Sequence, residues 1–94
     1  MWILRRVVGT SMLPSLKQGD VVVGQRGKQP RVGDIVIAWV HDKEVIKRIS
    51  QVTNEGYELL GDNKAVSTDS RTYGFVERQH IRGVVIKTIK SRAK

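Results

Sequence analysis

Three short segments of the 94-residue chain hold polar side chains whose types and spacing could support chemistry. In the first segment, residues 9–14, Ser11 lies between a strand-like run and Pro14. A serine that leaves a strand and enters a tight turn can present its hydroxyl as a nucleophile, with nearby backbone N–H groups as oxyanion donors. The alternative is that Ser11 caps a helical turn and that Met12 and Leu13 belong to the core.

The second segment, residues 44–49, places a lysine among apolar neighbours. In an extended strand Val45, Lys47 and Ile49 share one face, because side chains alternate between the two sides. Desolvation disfavours the ammonium form and lowers the pKa of a lysine, so such an amine can act as a general base near neutral pH. The alternative is that the stem of Lys47 covers apolar surface while its head stays in water.

The third segment, residues 61–74, is dense in hydroxyls, carboxylates and turn-forming residues. It can supply hydrogen bonds that hold a neutral lysine amine in place. The alternative is a loop that caps its own backbone, with Asp69 and Arg71 as a local ion pair. A loop of this length in so small a domain is usually functional or disordered.

The elements that must position these segments are predicted to be strands, because short runs rich in Val and Ile are separated by Gly, Pro, Asn and Asp. A tight hairpin at 42–43 and a turn at 53–56 would join three of them into an antiparallel meander. Helix signals are limited to single turns at 11–16 and 76–80. The six predicted strands are 2–8, 20–25, 34–41, 44–52, 56–60 and 81–89.

Composition limits the possible fold and partners. The length allows one domain, so we expect a single, compact, mainly antiparallel β domain over residues 1–94, with no long helix and a basic tail at about 87–94. The absence of cysteine excludes disulfides and thiolate chemistry. No apolar run approaches the roughly 20 residues of a membrane span. The net charge of +8 favours acidic partners, but the basic residues are scattered and no aromatic stripe accompanies them, so we expect no nucleic-acid recognition.

No metal or cofactor is expected. His41 and His80 are far apart in the sequence and lack the spacing of metal ligands, so they are predicted to be surface or structural residues.

Taken together, the segments resemble the signal peptidase I family of serine/lysine peptidases, and the resemblance runs from about residue 9 to residue 85. It implies a β domain of the signal peptidase or LexA-like catalytic type. The matching motifs are Gly-x-Ser-Met-x-Pro at 9–14, Gly-Asp at 19–20 and 33–34, Lys-Arg at 47–48, Gly-Asp-Asn at 61–63 and Ser-x-Asp-Ser-Arg at 67–71.

The resemblance implies a role for each matching residue. Ser11 would be the acylated nucleophile, and Lys47 would be the base that accepts its proton. Ser67 would orient the Lys47 amine through a hydrogen bond, while Asp69 and Arg71 would form an ion pair that shapes the site. This is a triad variant in which one amine replaces histidine and carboxylate.

The turn around the nucleophile would be supported by its neighbours. The family resemblance implies that Met12 and Pro14 fix this turn and that the Ser11 N–H serves in the oxyanion hole. Some family members add a serine hydroxyl to that hole at the position occupied here by Gly9, so a second donor must come from elsewhere. Asp62 and Asn63 would be structural.

Within the family, the compact form without an anchor is most similar to the nickel-type superoxide dismutase maturation protease. The similarity rests on Leu-Leu-Gly-Asp-Asn at 59–63, the motif at 67–71 and Tyr-Gly at 73–74. It implies an endopeptidase whose partner is a protein precursor, from which it removes an extended N-terminal pro- or signal segment. That precursor would be the dismutase. The lack of an export signal favours a cytoplasmic location.

Three other interpretations stay open. The chain could be the soluble part of a membrane-anchored secretory signal peptidase, which would place it at the membrane or outside the cytoplasm. It could be a LexA-like regulatory domain, self-cleaving or non-catalytic, although no obvious Ala-Gly cleavage site or DNA-binding helix is present. A basic β-barrel that binds nucleic acid would instead show affinity that falls steeply with salt.

Overall fold

Six strands form one antiparallel sheet in the computed structural model, which describes residues 1–66 and 74–92. Their order across the sheet is β1-β2-β6-β3-β4-β5, so the last strand lies near the middle. A short 3-10 helix, Arg78–His80, precedes the last strand, and the described residues contain no α-helix. The predicted mainly β fold is therefore confirmed. The strands are β1 (Trp2–Arg6), β2 (Val21–Gln25), β3 (Ile35–Val40), β4 (Lys43–Thr53), β5 (Gly56–Leu60) and β6 (Ile81–Ile89).

The predicted meander is confirmed, with one correction at its first turn. Val40 pairs with Lys43, so the two turn residues are His41 and Asp42, and the predicted turn at 42–43 is wrong by one residue. Both turn residues have positive φ, 48° and 64°, as a type I′ hairpin requires. His and Asp adopt this left-handed conformation more readily than Lys does, which favours the turn at 41–42 over one at 42–43. The second turn lies where predicted, between the paired residues Thr53 and Gly56.

β3 is buried on both faces, which explains its nearly continuous apolar sequence. Val36 and Ala38 belong to a core cluster shared with β4, β5 and β6. Ile37, which points the other way, belongs to a second cluster that includes Met12 and Leu16 of the turn after β1. The second cluster therefore packs the Ser-containing turn against the sheet.

The two Gly-Asp motifs form the same turn, each leading into a strand. The Asp20 N–H donates to Lys17 O (3.0 Å), and the Lys17 N–H donates to Asp20 Oδ2 (3.0 Å). The Asp34 and Arg31 pair repeats both bonds at 3.0 and 2.9 Å. The glycine before each aspartate has a φ above 90°, which other residues rarely adopt.

Asp20 also ties the end of β6 to the turn that precedes β2. Its buried carboxylate accepts the Ser91 N–H (2.7 Å) and pairs with Lys90 Nζ (3.3 Å). Lys90 Nζ in turn donates to Ser15 O (2.6 Å), so this contact reaches the turn that contains Ser11. The pKa of the Asp20 carboxyl is lowered, first by the Ser91 N–H and then by the Lys17 N–H, against the opposing effect of burial.

Replacing this carboxylate should change the acid stability of the fold. The folded pKa of Asp20 lies below its unfolded value of about 3.9, so its contribution is fully present above that pH and is lost as pH falls through the folded pKa. We expect Asp20→Asn to lower the urea midpoint at about pH 6 and to make the midpoint less sensitive to acid between about pH 6 and pH 3.

The matched control is Asp34→Asn, which alters the equivalent turn but not a link to β6. If Asp34→Asn lost as much stability as Asp20→Asn, the role assigned to Asp20 would be contradicted. The same holds if Asp20→Asn kept the acid dependence of the wild type.

Candidate active site

Ser11 begins a single turn of helical character that is fixed to the core. The Leu13 N–H donates to Thr10 O (3.2 Å) and the Leu16 N–H donates to Met12 O (2.9 Å), so the predicted turn is present. Met12 and Leu16 are fully buried, whereas Ser11 is half-buried. The turn therefore holds the serine at the surface of the core.

The other residues predicted to shape this turn have different environments. Gly9 has a φ of 83°, and its N–H donates to Gln18 Oε1 (3.1 Å). Pro14 is exposed and does not belong to the core cluster that holds Met12. Gly9 therefore gives the chain its left-handed bend before Ser11, while Met12 attaches the turn to the sheet.

Lys47 lies in the middle of β4 with only 5% of its surface exposed. It pairs with Val36 of β3, and the neighbour two residues on, Ile49, is also buried. The predicted apolar face of this strand is thus confirmed, and the surface-exposed alternative is wrong. On its other edge β4 pairs with β5 only from Arg48 onward, so residues 43–46 have no neighbouring strand on that side among the described residues.

Gly61 is where the Ser11 turn and Lys47 meet. A Cβ on residue 61 would lie 2.7 Å from Ser11 O, 3.5 Å from Ser11 Cβ and 3.4 Å from Lys47 Nζ. Both side chains therefore approach the same small volume above a residue that has no side chain. The absence of a side chain at residue 61 permits this approach.

Asn63 fastens the backbone of the serine turn. Its N–H donates to Ser11 O (2.8 Å), and its Nδ2 donates to Thr10 O (3.0 Å). Its Oδ1 accepts the Ala65 N–H (3.1 Å). These bonds agree with the structural role predicted for this residue.

Asp62 forms an ion pair that sequence reasoning did not identify. Both of its carboxylate oxygens accept from Arg48, at 2.9 Å from Nε and 2.8 Å from Nη2, and Ser15 Oγ donates to Oδ2 (2.6 Å). Arg48 also donates to Gly33 O (2.8 Å). The Arg48 guanidinium, more than the Ser15 hydroxyl, lowers the pKa of Asp62 against the effect of burial. Arg48 follows Lys47 in the sequence, so the two side chains leave β4 on opposite faces, but this alternation does not identify Asp62 as the partner of Arg48.

The remaining predicted site residues, Ser67, Asp69 and Arg71, lie outside the described residues. Their roles in orienting Lys47 and shaping the site stay predictions.

A cleft of about 410 Å³ leads to Ser11 and Lys47. One wall comes from residues 5–8 of the chain and the other from residues 43–47. Glu44 links the walls, because Arg5 Nε donates to its Oε1. The cleft is therefore an open groove between β1 and the part of β4 that extends past β5, with the candidate dyad at its base.

Residues 1–66 and 74–92 contain neither a cluster of metal ligands nor a membrane-spanning helix. No group of three or more His, Asp or Glu side chains there could hold a metal ion. No helix in the same residues is long and apolar enough to cross a membrane.

A comparison with family models now bears on this arrangement, because the model described as Peptidase S24-like matches residues 2–86. The chain belongs to the Peptidase S24-like family. The matched region contains Ser11, Lys47, Gly61 and all but the end of β6. A search of curated proteins found no match. The family supports a serine peptidase or a LexA-like domain, and some of its members are non-catalytic.

Adding a methyl group at Gly61 tests the close approach in this S24-like domain. In Gly61→Ala the new Cβ would meet backbone Ser11 O at 2.7 Å, so the backbone must shift. We expect a loss of about 1–3 kcal/mol in the free energy of unfolding, measured by urea denaturation.

Gly83→Ala is the control for adding a methyl group without a clash. Like residue 61, residue 83 has no left-handed φ, and a methyl group added there would have its nearest atoms at 3.4 Å or more, which is ordinary van der Waals contact. Equal losses in the two variants would contradict the importance of the contact at Gly61.

Proposed function

We propose that this S24-like domain is a serine endopeptidase in which Ser11 is the nucleophile and Lys47 the general base. The observation that carries the proposal is that a buried lysine amine and a serine side chain converge on Gly61 at the base of an open cleft. Burial disfavours the charged form of a lysine, which favours an amine able to accept a proton. A serine hydroxyl needs such a neighbour, because it is a weak nucleophile alone.

In the proposed reaction Ser11 Oγ attacks the carbonyl carbon of the scissile peptide bond while its proton passes to Lys47 Nζ. The Ser11 N–H donates to the developing oxyanion. Collapse of the tetrahedral intermediate breaks the C–N bond, and the Lys47 ammonium returns the proton to the departing amine. Water then attacks the acyl-enzyme and gives a proton to the Lys47 amine. As the bond between the acyl carbon and Ser11 Oγ breaks, the Lys47 ammonium returns a proton to Oγ, which releases the acid product and restores both residues.

The surrounding contacts support this chemistry by positioning. Asn63 holds the carbonyls of Thr10 and Ser11, which fixes the orientation of the serine turn. The Arg48–Asp62 pair fixes the preceding residue of the same segment. Ser67 is proposed to orient the Lys47 amine, and Asp69 with Arg71 to shape the site from the following loop.

An extended peptide fits the cleft between the two strand edges. Residues 43–46 have no neighbouring strand on the side away from β3 among the described residues, and a peptide in extended form can add to such an edge through main-chain hydrogen bonds. We propose that the peptide is the N-terminal pro- or signal segment of a precursor, with small residues at the cleavage point. The resemblance at residues 59–63 supports the nickel-type superoxide dismutase precursor as substrate.

A second candidate function is favoured by the family match. A LexA-like regulatory domain would cleave itself or not cleave at all, and the S24-like assignment includes such domains. Incubation of the purified chain alone separates the candidates. Self-cleavage gives fragments of this chain that Ser11→Ala lacks, whereas a precursor peptidase stays intact and cuts an added protein.

The dyad is tested by incubating a nickel-type superoxide dismutase precursor with the wild type, Ser11→Ala and Lys47→Ala, and measuring product masses. We expect the wild type to cut one bond, and each variant to lose at least about 10³-fold in rate, as removal of a nucleophile or base does elsewhere. The wild-type rate should rise with pH, because only an unprotonated amine can accept the serine proton.

Lys87→Ala, which removes an exposed lysine of β6, controls for charge alone. Full activity in Lys47→Ala, or equal loss in Lys87→Ala, would overturn the base assignment. If the wild type cuts neither this precursor nor alanine-rich signal-type peptides, the peptidase proposal fails.

Asn63→Ala tests positioning of the nucleophile turn. The substitution removes the Nδ2 bond to Thr10 O and the bond that Oδ1 accepts from the Ala65 N–H, but keeps the backbone bond to Ser11 O. We expect kcat to fall by up to about tenfold with KM nearly unchanged, since the one lost hydrogen bond that reaches the serine turn contributes about 1 kcal/mol. Asn54→Ala, in the exposed turn between β4 and β5, is the control. A change confined to KM would argue against a positioning role.

A further inference from the structure

The cleft walls carry an excess of positive charge. Among residues 1–66 and 74–92, Arg5 and Arg6 line the cleft from β1 and Lys43 lines it from β4, against a single carboxylate, that of Glu44. This count leaves out Lys47, which the proposed function treats as an amine that gives and takes a proton. The cleft is thus cationic where a substrate segment would lie.

The Glu44 carboxylate, which lines the cleft, already has ion-pair partners. Arg5 Nε donates to Glu44 Oε1, and Arg82 Nε lies 3.4 Å from Glu44 Oε2. Each oxygen of Glu44 therefore faces a different arginine. By contrast, no carboxylate among residues 1–66 and 74–92 pairs with Arg6 or Lys43, both of which are exposed. Glu44 neutralises part of the charge of its own partners and leaves two cations facing the cleft.

The position of Lys43 sets a distance from the reacting bond. Lys43 and Lys47 are four residues apart on β4, on the same face of the strand. At a rise of about 3.3 Å per residue, their Cα atoms are about 13 Å apart. An extended peptide beside this edge would span that distance with about four of its own residues.

We infer that the cleft selects a substrate with an acidic side chain about three to five residues from the scissile bond, recognised by Arg6 and Lys43. This inference rests on the proposed function for the location of the bond. The ligand class is an extended, small-residue peptide that carries a carboxylate. Both cations line the same cleft, and charge-assisted hydrogen bonds to a carboxylate are stronger than neutral ones.

The inference is tested first by binding, in the Ser11→Ala variant, so that catalysis is not required. Fluorescein-labelled, alanine-rich peptides of about 12 residues carry one Glu, or one Gln of the same shape, moved along the sequence. Fluorescence anisotropy should show Glu peptides binding about three- to tenfold more tightly than their Gln partners at one or two positions. The preference should weaken as salt is added.

Variants identify the cations. Adding Arg6→Gln and Lys43→Gln to Ser11→Ala should bring the Glu-to-Gln affinity ratio close to one. Adding Lys28→Gln, an exposed lysine that does not line the cleft, should leave the ratio as it is. Equal binding of Glu and Gln peptides at every position would overturn the inference. The inference would also be overturned if the Glu-to-Gln affinity ratio stayed unchanged after the Arg6 and Lys43 substitutions, or if Lys28→Gln abolished that ratio as fully as they do.

Cleavage of the same peptides by wild type separates this inference from the proposed function. Cleavage without a Glu preference overturns the inference and leaves the peptidase assignment standing. A Glu preference in binding without cleavage of any peptide or precursor overturns the peptidase assignment and leaves the acidic-peptide cleft. If the peptides are cleaved and the preferred Glu lies closer than three or farther than five residues from the cut bond, the inferred placement is overturned.

Discussion

The contact of Gly61 with the serine turn is the constraint on which the site depends. A backbone segment can approach Ser11 O this closely only where no Cβ intervenes, and the same opening receives the Lys47 amine. The two residues that follow stabilise this contact. Asn63 donates to the serine turn directly, and Asp62 pairs with Arg48 of β4, the strand that carries Lys47. One segment therefore sets the distance between two groups that belong to distant parts of the chain.

The charged network divides into two parts with different physical roles. Arg48, one residue after the buried Lys47, pairs with Asp62 on the opposite face of β4. These two basic groups therefore lie in separate environments. Glu44 performs a separate task at the mouth of the cleft, where it joins β1 to β4 through Arg5.

Much of the fold follows from local patterns, and the rest depends on pairing over long distances. Alternation in β4 predicted that Lys47 shares a face with apolar residues, and the Val- and Ile-rich runs predicted all six strands. The first hairpin turn was misplaced by one residue, because the position depends on which two residues take positive φ, and His41 does so more readily than Lys43. The Arg48–Asp62 pair was missed because nothing local links residues 14 positions apart. The predicted Asp69–Arg71 pair lies outside the described residues. The unpaired edge of β4 could not be predicted, because it depends on the residue at which the pairing of β4 with β5 stops.

The central position of β6 has a consequence for synthesis of the chain. Of the six described strands this one is translated last, yet it lies between β2 and β3, and the residues just after it bind Asp20 and the Ser15 carbonyl. Pairings between residues so distant in sequence form slowly, because a long loop must close before they contribute. A nascent chain that lacks β6 cannot complete the sheet, and the contact of Lys90 with the turn that carries Ser11 can form only after the end of β6 has been translated.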